Sequence, residues 1–175
     1  MDSIPISETA KARERLGKYC QGNGIDIGFG GDPITPSAIA IDMEVPYLTY
    51  NQHPQNLKGD GRNLYWFRNE VLDYVYSSHL LEDFPEQETP FIILEWLRVL
   101  KPGGYLVIYC PDEPNYREYC KKTGQKFNEW HKVSNFGLKF LVGVLETHFK
   151  GKYEIVHEIE LVDEYSFDLV VRKLR

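Results

Sequence analysis

Cysteine is scarce, with three residues in 175, at 20, 110 and 120. An odd count cannot pair fully, and no two stand in a C-x-x-C spacing. A disulfide framework and a cysteine-based zinc site are therefore not expected, and a reducing cytoplasm is the expected setting. No apolar run approaches the roughly 20 residues of a membrane span, so no membrane attachment is expected. The first fifteen residues, MDSIPISETAKARER, lack the apolar core of a secretory leader. Positive charge is not in excess: 20 Lys and Arg stand against 26 Asp and Glu, a net charge of −6. Nucleic-acid binding over a broad basic face is not expected. There is no internal repeat, low-complexity tract or long linker. With 42% hydrophobic and 26% charged residues, the chain reads as one globular domain spanning 1–175.

The charge that is present is uneven. Residues 1–116 carry a net −8, residues 117–152 a net +5, and residues 153–175 a net −3. A basic segment inside an acidic chain reads either as a solvated face or as a surface for an anionic ligand.

Apolar periodicity and punctuation set out the elements. Ser7 caps a helix running to about Tyr19 within an N-terminal segment 1–20. Strands are expected at 24–27, 38–42, 56–59, 71–77 and 105–110. Thr89 to Leu100 reads as a helix with Thr89 as cap and Pro90 in its first turn. Lys101-Pro102-Gly103-Gly104 reads as a stop and turn. Asn135 to Phe149 reads as a helix, and 113–134 as a substrate or lid segment. Two closing strands, 153–161 and 165–174, are joined too tightly for a crossover and must be antiparallel. Strands alternating with helices predict an α/β fold with a mostly parallel sheet.

In such sheets ligands bind at the carboxyl ends of the strands. Those ends carry Asp26-Ile27-Gly28-Phe29-Gly30-Gly31-Asp32, Asp42, Asp60-Gly61, Ser77-Ser78-His79 and Pro111-Asp112-Glu113. Read together, GIDIGFGGD (24–32), AIAID (38–42), GDGRNL (59–64), LDYVYSSHLLEDF (72–84) and EWLRVLKPGGYLVIYCPD (95–112) resemble a small class I S-adenosylmethionine-dependent methyltransferase of the type 11 kind. The resemblance implies a Rossmann-like seven-stranded sheet of order 3-2-1-4-5-7-6, with helices on both faces and a C-terminal antiparallel hairpin. It implies S-adenosyl-L-methionine as cofactor and S-adenosyl-L-homocysteine as product.

It also assigns candidate residues. Gly28 and Gly30 let the backbone approach the methionine part of the cofactor. Asp26 steadies that loop and helps position the amino group, or only braces the loop. Asp42 can accept both ribose hydroxyls, or is a plain turn acid. Met43 covers one adenine face, or fills core. Asp60 with Gly61 reads the adenine edge, or forms an Asp-Gly turn. Ser77 and Ser78 end the strand where the methyl group would lie, and Leu80 walls the cofactor. His131, Asp112 and His79 are the candidate bases, against structural readings for each. Glu113 is a further candidate. His53 and His157 have no recognisable partner in the sequence. No metal-ligand cluster is evident.

Two departures are visible. Only nine residues, 29–37, link the first two strands, with Pro33 and Pro36 among them, so the first crossover helix is cut to about one turn. Segment 43–55, with Pro46 and Pro54, has no helical period. A partner subunit or second copy would cover that side. Asp83 stands where the family's HxLEHF-like stretch has its later histidine.

The reaction implied is methyl transfer to an oxygen or nitrogen of a small-molecule or sugar acceptor, which Lys121, Lys122, Lys126 and Lys132 would suit if it is anionic. A non-catalytic cofactor-binding or scaffolding protein is the alternative. A nicotinamide-dependent oxidoreductase is disfavoured by proline at position 33. The sequence leaves open the acceptor, oxygen against nitrogen, the base and the oligomeric state.

Overall fold

The computed structural model of the chain describes residues 6–43 and 53–175. Helix α1 is Glu8–Leu16, followed by β1 (Gly24–Ile27), β2 (Ile39–Asp42), β3 (Leu57–Lys58) and β4 (Leu72–Ser78). Then come α2 (Thr89–Val99), β5 (Leu100–Pro111), α3 (Glu113–Thr123), α4 (Leu138–His148), β6 (Tyr153–Val162) and β7 (Ser166–Lys173). The strands form one seven-stranded sheet in the order β3-β2-β1-β4-β5-β7-β6. β1 to β5 run parallel, and β7 is antiparallel to both β5 and β6. This is the expected sheet. Among the described residues no helix is long and apolar enough to cross a membrane.

Side chains alternate across the strands, so each strand feeds two cores. Ile25, Ile27, Val75, Leu106, Ile108, Leu169 and Val171 face α2 and α4, which contribute Trp96, Leu97, Leu141 and Leu145. Tyr74, Tyr76, Val107, Tyr109 and Val170 face the other way, against Ala12 and Leu16 of α1 and Ile34 and Ala38 of the β1–β2 link. That link holds no helix, only turns. The N-terminal helix thus covers part of a face that crossover helices usually cover. It is pinned there: the Ser7 hydroxyl donates to Asp32, and Arg13 Nη2 lies 2.6 Å from Asp32 Oδ1. The expectation that 43–55 lacks a helix falls mostly outside the described residues.

Two local readings change, and the segment after β5 gains its element. Thr89 does not cap α2. A 3-10 turn at Glu86–Glu88 leads directly into the helix, Thr89 is already helical, and Glu88 stands at the cap without a side-chain bond. Lys101 to Gly104 do not end the chain's run between α2 and β5. They lie within β5, where the ladder shifts register between the Leu72↔Leu100 and Tyr74↔Tyr105 pairs. Gly103, at φ 83, lets the extra residues bulge outward. Residues 113–123 are helical. Asp112 caps α3 by accepting from Asn115 N, Pro114 sits in its first turn, and Gly124 closes it at φ 74. These are ordinary helix signals.

Gly24 shows how tightly β1 and β4 are seated. A Cβ there would stand 2.3 Å from the Tyr74 ring, which is fully buried. Gly24→Ala is expected to cost ~1–3 kcal/mol as overpacking. A lowered urea midpoint with an unchanged slope checks it, and an unchanged midpoint contradicts it.

Candidate functional site

Parallel register brings the strand ends to one edge. Ile27 pairs with Ile41 and with Ser77, and Ser78 pairs with Tyr109. Gly28, Asp42, His79 and Cys110 therefore follow one another along the carboxyl edge of the sheet.

The glycine loop leaves β1 in left-handed backbone, with Gly28 at φ 72 and Gly30 at φ 59. Gly28 N donates to Ile41 O at 2.8 Å, which ties the loop to β2. A Cβ on Gly28 would meet Leu80 Cδ2 at 3.0 Å, and one on Gly61 would meet Ile27 Cγ2 at 2.5 Å. Leu80 and Gly61 thus stand over the loop. Gly61 O also accepts from the buried Trp96 Nε1 at 2.7 Å, anchoring that wall to α2.

Asp26 is fully buried on β1. Its Oδ2 accepts from Ile34 N at 2.6 Å, and its Oδ1 has no hydrogen-bond partner. Burial raises the carboxyl to about 8, beyond what the Ile34 bond offsets. The acid form is favoured in the fold, so the stability it contributes is fully present below about pH 4. That contribution is lost as pH rises toward 8, at about 1.4 kcal/mol per unit crossed. Urea unfolding of the ligand-free protein should weaken from pH 5 to pH 8 more steeply than that of Asp26→Asn. Parallel pH dependence in the two proteins would contradict this.

Asp42 ends β2 half-buried. Its Oδ2 accepts from Gly30 N at 3.1 Å and its Oδ1 from Met43 N at 2.7 Å. Burial raises its pKa above the usual value despite those two bonds. Each oxygen keeps a lone pair for a further donor. Ser77 is buried and donates to Ile27 O at 3.1 Å, and Ser78 is buried beside it. Met43 is exposed, away from packing. Asp60 engages Arg62, whose bonds hold its carboxyl below the usual range. His53 N donates to Gly31 O at 3.3 Å, a contact of the loop that its sequence did not reveal.

Beyond Leu80 the edge becomes an acid–histidine crest. His79 follows β4 at φ 48, a left-handed position that is uncommon for a non-glycine residue. Its Nε2 lies 3.2 Å from Ser166 Oγ and 3.4 Å from Glu8 Oε2. Burial lowers it to about 4. His131 Nδ1 donates to Glu113 Oε2 at 2.8 Å, and Glu113 also pairs with Arg117 Nε at 3.0 Å. Glu82, fully buried in the turn Leu81–Asp83, lies between the two histidines. Asp83, raised by burial to about 6, borders it. Asp112 is held apart as the α3 cap, with Oδ2 close to Gly137.

Sequence reasoning brought His79, His131 and Glu113 to the right end of the sheet and missed Glu82 and Glu8. Glu82 had a signal, since a residue three after His79 in a tight turn shares its side. Glu8 had none, because only tertiary packing carries α1 to β4. His157, unpartnered in the sequence, lies 3.4 Å from Asp168 Oδ2. Among the described residues no group of three or more His, Cys, Asp or Glu could hold a metal ion.

The loop fits S-adenosylmethionine on its own terms. A backbone cradle closed to Cβ atoms, an unpartnered buried carboxyl oxygen and a strand-end carboxylate with free lone pairs match a group bearing an ammonium and a ribose. Residues 25–108 match the family described as a methyltransferase domain. No curated protein matches the chain by sequence. An S-adenosylmethionine-dependent methyltransferase from Archaeoglobus fulgidus superposes with a TM-score of 0.72 at 17% identity, covering 94% of this chain and 92% of that one. One from Thermotoga maritima gives 0.68 at 17%, covering 97% and 88%. A Haloferax volcanii methyltransferase complex with the Trm112 activator gives 0.63 at 15%, covering 96% and 89%. At these identities the structures speak for the fold. The stretch from β1 into β5 matches a methyltransferase domain, and the chain has the fold of the S-adenosylmethionine-dependent methyltransferases on which it superposes.

Proposed function

We propose that the protein transfers a methyl group to an oxygen or nitrogen of an anionic small-molecule or sugar acceptor. The observation that carries this reading is the acid–histidine crest, placed at the same sheet edge as the glycine loop. A reacting oxygen or nitrogen that must lose a proton needs a base there, and the acceptor's negative charge then lies on another of its groups.

In this reading Gly28 and Gly30 carry the methionine part, and Asp26 Oδ1 meets its ammonium. Asp42 accepts the ribose hydroxyls, and Gly61 and Leu80 flank the adenine side. Ser77 and Ser78 form the floor beneath the methyl group. Met43 and Asp60 stand at the rim, the latter shared with Arg62. S-adenosylmethionine supplies a methyl carbon activated on a sulfonium. The protein's task is then to align the acceptor, exclude water and receive one proton. His131, oriented by Glu113, and His79 are the groups proposed to receive it, with Asp112 as a helix cap behind them. Lys121, Lys122, Lys126 and Lys132 are exposed along α3 and the loop after it, and are proposed to attract the acceptor's negative charge. The edge strand β3 is the proposed side for a partner subunit or second copy; the Haloferax methyltransferase is itself found in complex with an activator protein.

The test is S-adenosylhomocysteine release from the purified chain across uronic acids, sugar phosphates and their neutral counterparts. Turnover favouring the anionic member of each pair is expected. Equal turnover, or none with any acceptor, contradicts the proposal.

A further inference from the structure

A second opening lies at the other end of the sheet. The topology gathers there the starts of β4, β5 and β6 and the end of β7, which runs antiparallel. The seven residues of β4, roughly 20 Å of strand, separate this edge from the glycine loop. A cavity of about 250 Å³ opens at it. One wall is apolar, made of Leu94 and Leu97 of α2 and of Phe149, which follows α4. Leu94 is 51% exposed, and Phe91, three residues before it on the same side of α2, is 72% exposed. The other wall is cationic, with Lys173 at the end of β7 and Lys152 and Arg175 beside it.

These cations exceed what the fold uses. A helix C-terminus draws positive charge, and α2 and α4 both end at this edge. Their final carbonyls are already engaged by backbone. Glu70 N donates to Arg98 O at 3.0 Å, Val71 N to Val99 O at 2.9 Å and Phe149 N to Leu145 O at 2.8 Å. Arg98, also at the cavity, commits all five of its N–H donors to Glu95, Asn69 and the carbonyls of Leu64 and Phe67. It is wall and has no donor left for a ligand. Lys173 is 9% exposed, and its Nζ donates to Leu100 O at 2.7 Å and to Glu70 Oε1 at 3.2 Å. One of its three protons is left over. Lys152 is exposed, and among the described residues its ammonium pairs with no carboxylate. Its backbone is fixed on both sides, since Lys152 N donates to Phe149 O and Lys152 O accepts from Leu174 N, each at 2.9 Å. Glu70 offsets one positive charge, and those of Lys152 and Arg175 remain.

We infer that this cavity is a second ligand site, separate from the glycine loop, for a small carboxylate carrying a compact apolar tail. The tail lies against Leu94, Leu97 and Phe149. The carboxylate accepts from Lys173 and Lys152, and Arg175 adds attraction. The volume falls just below that of common ligand pockets, which suits a short tail rather than a long chain. A neutral hydrocarbon leaves the cationic wall unused, and a bare anion leaves the apolar one.

The test is titration of the full ¹⁵N-labelled chain at pH 7 and constant ionic strength with octanoate, octylammonium and acetate. Octylammonium keeps the tail and reverses the charge, and acetate keeps the head without the tail. Octanoate is expected to saturate at one per chain, with amide shifts centred on Leu94, Leu97 and Lys173. It should bind at least tenfold more tightly than either control. Lys152→Glu and Leu94→Asp, both at exposed positions, should each weaken it at least tenfold while the rest of the spectrum stays that of the folded protein. Saturating S-adenosylhomocysteine should leave its affinity unchanged. Equal binding of octylammonium, unchanged affinity in either variant, or no saturation at millimolar concentration overturns the inference. So do shifts centred on Gly28 and Asp42. A helical Glu/Leu peptide that displaces octanoate and binds more than tenfold tighter assigns the groove to a protein partner instead, and a dimer that octanoate dissociates assigns it to a second copy. Either result overturns the small-ligand site.

Discussion

Asp42→Ala is expected to weaken S-adenosylhomocysteine binding at least tenfold while the protein stays folded. The carboxylate sits where β2 ends, fixed by Gly30 N on one oxygen and Met43 N on the other. Its remaining lone pairs can accept two hydroxyls, and a hydrogen bond to a charged group contributes roughly 1.5–3 kcal/mol. Losing one such bond alone gives a tenfold change. Stability should suffer less, because Asp42 is half-buried and among the described residues no cation pairs with it. Calorimetric titration against wild type, with urea curves for both, checks the two halves together. Equal affinity removes Asp42 from the ribose role.

The largest loss of stability is expected far from the site, at Arg15. Its Nε lies 2.8 Å from Asp168 Oδ2 and its Nη2 2.6 Å from Asp163 Oδ2. Asp168 is fully buried on β7, and His157 Nε2, at 3.4 Å, is its other basic neighbour. Arg15→Met keeps the stem and removes the charge, leaving the Asp168 carboxylate in the interior without its cation. Breaking a buried pair from one side costs about 3–5 kcal/mol. Adding Asp168→Leu to the same chain should recover much of the loss, since the apolar pair carries no unpaired charge. Urea unfolding of the single and double variants checks this. A single-variant loss below about 1 kcal/mol would fall in the range of a surface pair and contradict it.

What could be seen in the sequence follows from the range of the interactions. Ile25, Ile27, Ala40 and Ile41 mark strands by local apolar character, and Gly28, Gly30 and Asp42 mark strand ends by residue type. Sheet order came from resemblance, and the register of seven strands agrees with it. Helix α3 carries its own signals in Asp112, Pro114 and Gly124, although the basic charge of 117–152 points only to a substrate or lid role and names no element. Thr89 looked like a cap because the preceding turn, which already winds the chain, has no apolar period. The crest was hardest to see. Glu8, Glu82, Glu113, His79 and His131 come from four separate parts of the chain, and their roles depend on burial and on which nitrogen faces which oxygen. Arg15 with Asp168 is a pair of the same kind, joining the first helix to the last strand.

The central claim is that the loop at Gly28 and Gly30, with Asp42, is built for S-adenosylmethionine. The most direct measurement is calorimetric titration of the wild-type chain with S-adenosylhomocysteine and, separately, with NADH. Saturable one-to-one binding of S-adenosylhomocysteine with no heat from NADH is predicted. Binding of NADH in preference, or no binding of S-adenosylhomocysteine at millimolar concentration, would contradict the account.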